Sequence, residues 1–206
     1  MLNFLLTVPT PWFQPFVWMD YRLAVLITVL LPLILWIWAL VQKVDAIQHL
    51  LAIYWRVASL LAISLYLMIA ALPMSFWVST TARILVPISL WFWVDLNEEI
   101  AEQRPSLLKL AFSSWRWGIT VYSVLGALLQ IPFLRCGFNE GTAIIADPFC
   151  RVWLDPPWFY KEVLHGNVGP RFLGFVGLLA LVVYVLFLSY FLFIKLGKQG
   201  RSATGH

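Results

Sequence analysis

Phe172–Ile194 reads FLGFVGLLALVVYVLFLSYFLFI, and no residue in this stretch carries a charge. An uncharged apolar run of this length is enough to cross about 30 Å of hydrocarbon as an α-helix. The run also lacks the alternation of apolar and polar residues that is typical of transmembrane β-strands. It therefore predicts a membrane-spanning helix.

Four more apolar stretches of similar length precede this one. The predicted spans, in chain order, are Leu23–Val41, Leu50–Leu72, Phe76–Val94, Ala111–Phe133 and Phe172–Ile194. They take up most of the 206 residues, of which 62% are hydrophobic and only 12% are charged. Soluble domains carry roughly 25% charged residues. The predicted fold class is therefore all-α, a polytopic membrane bundle of about five transmembrane helices in a single domain over residues 1–206.

Basic residues near the span ends predict the orientation of the bundle. Lys195, Lys198 and Arg201 follow the last span, and Lys43 and Lys109 belong to connections on the same side. Because cytoplasmic connections are enriched in Lys and Arg, we expect the C-terminus in the cytoplasm. With an odd number of spans, the N-terminus then faces the lumen or the periplasm.

Three segments outside the spans complete the predicted domain. Residues 1–22 are rich in aromatic side chains and proline, which predicts an interfacial segment on the lumenal side. Residues 95–109 form an acidic cytoplasmic connection, and residues 134–170 form a long lumenal loop. This loop holds both cysteines of the chain, Cys136 and Cys150. A disulfide between them is the preferred interpretation outside the cytoplasm, and two unpaired thiols are the alternative.

Arginines occur within the predicted spans, one or two turns from a span end. They are Arg56, Arg83 and Arg116. Charged residues inside spans are costly to bury and point to function. One interpretation is that each guanidinium reaches the interface along its apolar stem and contacts lipid. The sharper hypothesis is that the arginines hold an anionic headgroup or pair with a carboxylate such as Asp20 or Asp45.

A group of acidic residues directly follows the third span. Its members are Asp95, Glu98, Glu99 and Glu102. Their spacing places four carboxylates on one face of a continuing helix, which Pro105 would stop. Such a face can simply be solvated, with its carboxylates repelling one another in water, or it can have one of two binding roles. It could hold a hard cation such as Mg²⁺ or Ca²⁺ through its oxygen atoms, or it could dock on a basic surface of a protein partner.

The sequence predicts no catalytic residue and no cofactor. Haem held by two histidines is disfavoured, because His49 lies at a span edge, His165 in a loop and His206 at the last position. Many of the 12 tryptophans lie near span ends, as in the aromatic belts of membrane proteins. Contact with chlorophyll or carotenoid is compatible with this pattern but has no specific support. The predicted partners are membrane lipids and subunits of a larger membrane complex, and no nucleic acid.

Several longer strings carry a resemblance to a known family. They are Asp20-Tyr-Arg-Leu-Ala-Val, Ile53-Tyr-Trp-Arg-Val-Ala-Ser-Leu-Leu, Trp91-Phe-Trp-Val-Asp-Leu-Asn-Glu-Glu, Ser114-Trp-Arg-Trp, Val152-Trp-Leu-Asp-Pro-Pro and Leu196-Gly-Lys-Gln-Gly-Arg-Ser-Ala. Over nearly its whole length the chain resembles an uncharacterised family of cyanobacterial multi-span membrane proteins, a domain of unknown function. The resemblance implies a thylakoid location, with the plasma membrane as the alternative. It implies no activity, ligand or site residue.

Together these features predict a non-catalytic accessory, assembly or stabilising protein of a thylakoid photosynthetic or respiratory complex. The alternative is a small-solute transporter or channel that works as an oligomer, with one of the span arginines facing a polar path. A weaker alternative is a metal-dependent lipid or prenyl enzyme that uses the carboxylates from Asp95 to Glu102.

Overall fold

The protein is an all-α bundle of long apolar helices. The structure is a computed structural model that describes residues 11–203, with the backbone alone at 198 and 199. Helices long and apolar enough to cross a membrane are Gln14–Gln42, Asp45–Ile69, Leu107–Phe138 and Pro170–Lys195. A fifth crossing results if Met74–Trp91 and Val94–Glu102, bent by 56°, form one broken span. The prediction of an all-α polytopic helical bundle is confirmed.

The elements follow one another with short connections. They are α1 (Gln14–Ala24), a π-helical turn (Val25–Leu30), α2 (Leu31–Gln42), α3 (Asp45–Ile69), α4 (Met74–Trp91), α5 (Val94–Glu102), α6 (Leu107–Gln130), a 3₁₀ segment (Ile131–Phe138), α7 (Gly141–Ala146), α8 (Pro148–Arg151), α9 (Asp155–Leu164), α10 (Pro170–Tyr190), a second π-helical turn (Phe191–Lys195) and α11 (Leu196–Gln199).

The first span is longer than the sequence predicts. It starts at Gln14 rather than at Leu23, so part of the segment 1–22 that was predicted to be interfacial is helix continuous with the span. Residues 1–10 of that segment lie outside the described residues. The widened turn Val25–Leu30 ends two residues before Pro32, which cannot donate a main-chain hydrogen bond and crowds the carbonyl one turn earlier.

The third span ends in a bend. The sequence predicts a helix to Val94 that continues through the acidic residues, but α4 ends at Trp91 and α5 starts at Val94. Leu96 and Ile100 of α5 are fully buried in the same core cluster as Leu50 of α3 and Phe112 of α6. Burial of these two side chains holds α5 at 56° to α4, so the acidic helix packs on the core after the bend instead of continuing α4 in a straight line.

Close helix contact attaches α10 to the rest of the bundle. A Cβ atom at Gly174 would collide with Ala70, directly after α3, and one at Gly177 would lie 3.0 Å from the Cβ of Tyr66 in α3. Small residues of this kind let membrane helices approach closely. The outer face of α10 stays uncovered by the rest of the protein, and Phe175, Leu179 and Leu186 on it are all more than half exposed.

The helices place defined segments at the two ends of the bundle. At one end, the side chain of Gln14 donates to Asp155 over 3.2 Å, which joins the start of α1 to α9 and the neighbouring disulfide. We call this the disulfide end. At the other end, the amide of Val94 donates to the carbonyl of Arg201 over 3.3 Å. We call this the tail end, because residues 201–203 lie there against the start of α5.

Candidate functional site

A buried charge cluster joins α1, α4 and α6. The two terminal nitrogens of Arg83 donate to the carboxylate of Asp20, over 3.2 Å from Nη1 to Oδ1 and over a shorter distance from Nη2 to Oδ2. The hydroxyl of Tyr122 donates to Oδ1 of Asp20 over 2.8 Å and also lies 3.0 Å from the Asp20 carbonyl. The side chains of Arg83 and Asp20 are only 8% and 21% exposed. We call Asp20, Arg83 and Tyr122 the Asp20 cluster.

A glycine makes room for the guanidinium. Gly126 lies one helical turn beyond Tyr122, and a Cβ atom at this position would collide with the Nη1 atom of Arg83. The guanidinium also lies 5.4 Å from the ring centroid of Tyr122. The backbone of α6 is therefore part of the binding surface for Arg83, and the sequence provides the space by omitting a side chain.

Polar side chains continue the cluster toward the disulfide end. Gln130 lies one turn beyond Gly126, and its carbonyl oxygen accepts from Thr80 over 3.2 Å and from Ser79 over 3.4 Å. Its amide nitrogen donates to Ser79 over 3.1 Å. Because Ser79 lies one turn before Arg83 on α4, the two helices share one polar seam across an otherwise apolar contact.

The interactions of the Asp20 cluster hold three helices together. A buried charge in a low-dielectric environment is tolerated when an opposite charge and further hydrogen bonds accompany it, and Asp20 receives both. The paired charges are neutral as a group, and their main hydrogen-bonding atoms already bond to one another. The arrangement ties the first span to α4 and α6.

Arg116 occupies a second polar site at the bend between α4 and α5. Its guanidinium stacks 4.1 Å from the ring centroid of Trp91 and donates to the side-chain oxygen of Asn97. The amide of Asn97 in turn donates to the carbonyl of Trp93 over 2.7 Å and to that of Leu90 over 3.3 Å. The Leu90 carbonyl lies in the last turn of α4, where helix carbonyls lose their regular partners, and the Trp93 carbonyl also accepts from the main-chain amide of Asn97 over 3.2 Å.

Arg56 differs from the other two span arginines. It is exposed on α3, and its side chain forms no hydrogen bond or ion pair with residues 11–203. The carboxylate partner that the structure provides for a span arginine is Asp20, while Asp45 is exposed at the start of α3. The three arginines therefore differ in their contacts. Arg83 pairs with Asp20, Arg116 bonds to Asn97 at the bend, and Arg56 is exposed.

The acidic residues lie on α5, but they do not converge. Asp95 accepts from the Ser202 hydroxyl over 3.1 Å and from the Ala203 amide over 2.8 Å, whereas Glu98, Glu99 and Glu102 are exposed. Within the part of the chain that the structure describes, no three His, Cys, Asp or Glu side chains are placed to hold a metal ion. The geometry therefore gives no support to a cation site at these carboxylates.

Cys136 and Cys150 form a disulfide, with 5.8 Å between their Cα atoms. Both residues are fully buried beneath an aromatic group in which Phe133 stacks on Phe149 at 4.3 Å between ring centroids. The segment predicted as a lumenal loop is therefore a packed helical cap. Pro156 and Pro157 lie in the first turn of its helix α9, where a missing N–H is tolerated.

Comparison with known proteins places the chain in a family. Residues 14–204 match the family model described as a protein of unknown function, DUF3177. The chain belongs to this family. No curated protein and no solved structure matches this DUF3177 chain. This match supports one part of the resemblance seen in the sequence, namely that a domain of unknown function covers nearly the whole chain.

Sequence reasoning identified part of the polar site in this DUF3177 protein. It singled out Arg83 and named Asp20 as a possible partner, but it missed Tyr122, Gly126, Gln130, Ser79 and Thr80. A signal was present. Ser75, Ser79 and Arg83 recur at intervals of four on α4, as do Tyr122, Gly126 and Gln130 on α6, so both stripes fall on single helix faces.

Proposed function

We propose that the protein is a non-catalytic accessory subunit that helps to assemble or stabilise a larger complex of the thylakoid membrane, photosynthetic or respiratory. The observation that carries this proposal is that Arg83 and Arg116 bond to neighbouring elements of the same chain. A transport path or a reaction centre needs charged groups that face an open site. Arginines that instead connect helices favour a structural role.

A further feature supports a subunit with a protein partner. The tail end presents the exposed carboxylates of Glu98, Glu99 and Glu102, which suit a basic surface on a partner. We propose this acidic face of α5 as the contact surface.

The proposed orientation places the tail end in the cytoplasm and the disulfide end in the lumen or periplasm. Disulfides persist in oxidising compartments, which favours a non-cytoplasmic location for Cys136 and Cys150. Lys43 and Arg104 lie in connections at the opposite end and Lys109 lies in the first turn of α6 there, in accord with the enrichment of basic residues on the cytoplasmic side. The thylakoid location rests on the resemblance to cyanobacterial proteins.

The test is purification of the tagged protein from its native membranes in a mild detergent, followed by a native gel and mass spectrometry. We expect it to migrate with a large complex in a stoichiometric amount. Glu98→Gln combined with Glu102→Gln should release the protein from that complex. Glu162→Gln, which changes an exposed carboxylate at the disulfide end, is the matched control and should leave the complex intact.

Two results would overturn the proposal. One is wild-type protein that migrates alone under the mildest conditions. The other is solute flux above that of empty vesicles after reconstitution of the purified protein into liposomes, which would favour the transporter.

A further inference from the structure

Residues 201–203 fold back onto the bend between α4 and α5. The Nε atom of Arg201 donates to the carbonyl of Phe92 over 3.0 Å, and the guanidinium lies 5.3 Å from the Phe92 ring centroid. The carbonyl of Arg201 accepts from the Val94 amide over 3.3 Å. Ser202 and Ala203 both donate to Oδ2 of Asp95. We call residues 201–203 the tail.

A glycine directs the tail back toward the bundle. Gly200 follows α11 with φ +61° and ψ −139°, a conformation that is essentially restricted to glycine. A side chain at this position would strain the turn that brings Arg201 to Phe92. The sequence Gly200-Arg201-Ser202-Ala203 therefore favours the docked conformation of the tail.

Asp95 is the centre of the docking site. Its carboxylate lies in the first turn of α5 and accepts hydrogen bonds from the Ser202 hydroxyl and the Ala203 amide of the tail. A carboxylate binds donors and repels anions. The hydroxyl of Ser202 is thus the atom at which a change of charge would have the largest effect on docking.

We propose that Ser202 is a phosphorylation site whose modification releases the tail from Asp95. A protein kinase would transfer the γ-phosphoryl group of ATP, so that a bond forms between phosphorus and the Ser202 oxygen, ADP leaves, and the hydroxyl proton is released. This inference rests on the proposed orientation, which places the tail in the compartment that contains ATP.

The physical reason for release is the loss of a donor and the gain of negative charge. Phosphoserine cannot donate to Asp95 through its ester oxygen, and its charge of about −2 would lie against the carboxylate. Glu98 and Glu99 follow on the next turn of α5 and add to the negative field. Release would uncover the Phe92 carbonyl and the Val94 amide beside the acidic face proposed as the partner surface.

The mechanism is tested by thiol alkylation of the purified full-length protein. Because the two natural cysteines form the disulfide, Ala203→Cys introduces a single free thiol in the tail. In this background, Ser202→Glu should raise the alkylation rate by roughly fivefold or more, since like charges would lie within about 4 Å of each other. Gly200→Ala should raise it as well, because it strains the turn.

The controls separate charge from the loss of a hydroxyl. Ser202→Gln has nearly the size of Ser202→Glu without the charge, and it should raise the rate much less. Asp95→Asn removes the repelling carboxylate, so Ser202→Glu should add little in that background. Trypsin cleavage after Arg201, with the natural Ala203 present, gives an independent readout. Equal rates for Ser202→Glu and Ser202→Gln, or no increase in either, would overturn the release mechanism.

The modification itself is tested in native membranes. Mass spectrometry of the C-terminal peptide should find phosphate on Ser202 in a fraction of the molecules that changes with growth conditions. Unmodified Ser202 under all conditions would overturn the phosphorylation proposal. The orientation is measured separately, by the reaction of a membrane-impermeant maleimide with the introduced thiol of the Ala203→Cys variant in sealed vesicles. Failure of the proposed orientation can therefore be distinguished from failure of the phosphorylation proposal.

Discussion

The phenolic hydroxyl of Tyr54 on α3 donates a 2.7 Å hydrogen bond to the main-chain carbonyl of Thr28 in the first span. The indole of Trp115 on α6 likewise donates to the Ile27 carbonyl over 2.9 Å. Both carbonyls precede Pro32, which has no N–H to offer them. Side chains of two other helices therefore supply the donors that the first span lacks, and this couples a break in one helix to the packing of three.

We expect Tyr54→Phe to lower the free energy of unfolding by about 1–3 kcal/mol, because it leaves a buried carbonyl without a donor. The measurement is unfolding of the purified protein in mixed micelles with increasing denaturing detergent. Tyr190→Phe, which changes a hydroxyl on the exposed face of α10, is the control and should shift stability by less than about 0.5 kcal/mol. Similar losses in the two variants would contradict this role of Tyr54.

The Asp20 cluster predicts a large loss of stability when one charge of the ion pair is removed, and a partial recovery when the other charge is removed as well. Arg83→Gln should destabilise the protein by about 3–5 kcal/mol, because it leaves the carboxylate of Asp20 buried without its counter-charge. Adding Asp20→Asn to Arg83→Gln should restore part of that stability. Arg56→Gln, at an exposed position on α3, should change stability by less than about 0.5 kcal/mol.

The same unfolding assay measures these variants, together with Asp20→Asn alone. If the double variant is less stable than Arg83→Gln by the full effect of Asp20→Asn alone, the two residues act independently. That result would argue against an ion pair as the source of the effect.

Two glycines of α6 give a matched pair of substitutions. Gly118→Ala places its Cβ atom in open space and should stabilise the helix by up to about 1 kcal/mol through helix propensity. Gly126→Ala makes the same change two turns later but meets the guanidinium of Arg83, so it should destabilise the protein. A stabilising Gly126→Ala would show that Arg83 has room to move away from Asp20.

The sequence predicts the helices far better than their interruptions. Uncharged runs mark the spans because hydrocarbon thickness sets a minimum length, and that constraint is local. The bend after Trp91 is invisible to hydropathy, since Trp91-Phe92-Trp93-Val94 continues the apolar run. Long-range contacts create the bend, through Asn97 bound to Arg116 and through Ile100 buried against the core.

The same distinction holds for the candidate site. Arg83 stands out as a charge within a span, but its partner lies 63 positions earlier and shares no local pattern with it. Tyr122 and Gly126 are ordinary residues for a membrane helix. Only the arrangement of the helices makes the Tyr122 hydroxyl a donor to Asp20. The same arrangement requires the absence of a side chain at Gly126, where the guanidinium of Arg83 lies.

Asp155 at the disulfide end predicts a dependence of stability on pH. Burial raises the pKa of its carboxyl above the ordinary value of 3.8, and the hydrogen bond from Gln14 and the nearby charge of Arg151 offset this only in part. In the pH range between the unfolded and folded pKa values, the folded protein therefore binds more protons than the unfolded chain. Stability should fall as pH rises through this range.

Asp155→Asn should remove this contribution, because the amide does not titrate and can still accept from Gln14. Unfolding midpoints of the wild type and the variant, measured across the acidic range, should converge toward low pH, and the wild type should lose stability relative to the variant as pH rises. Glu162→Gln, an exposed carboxylate on the same helix α9, is the matched control. A difference between the wild type and Asp155→Asn that is constant across the range would show that burial of Asp155 does not disfavour its charged form.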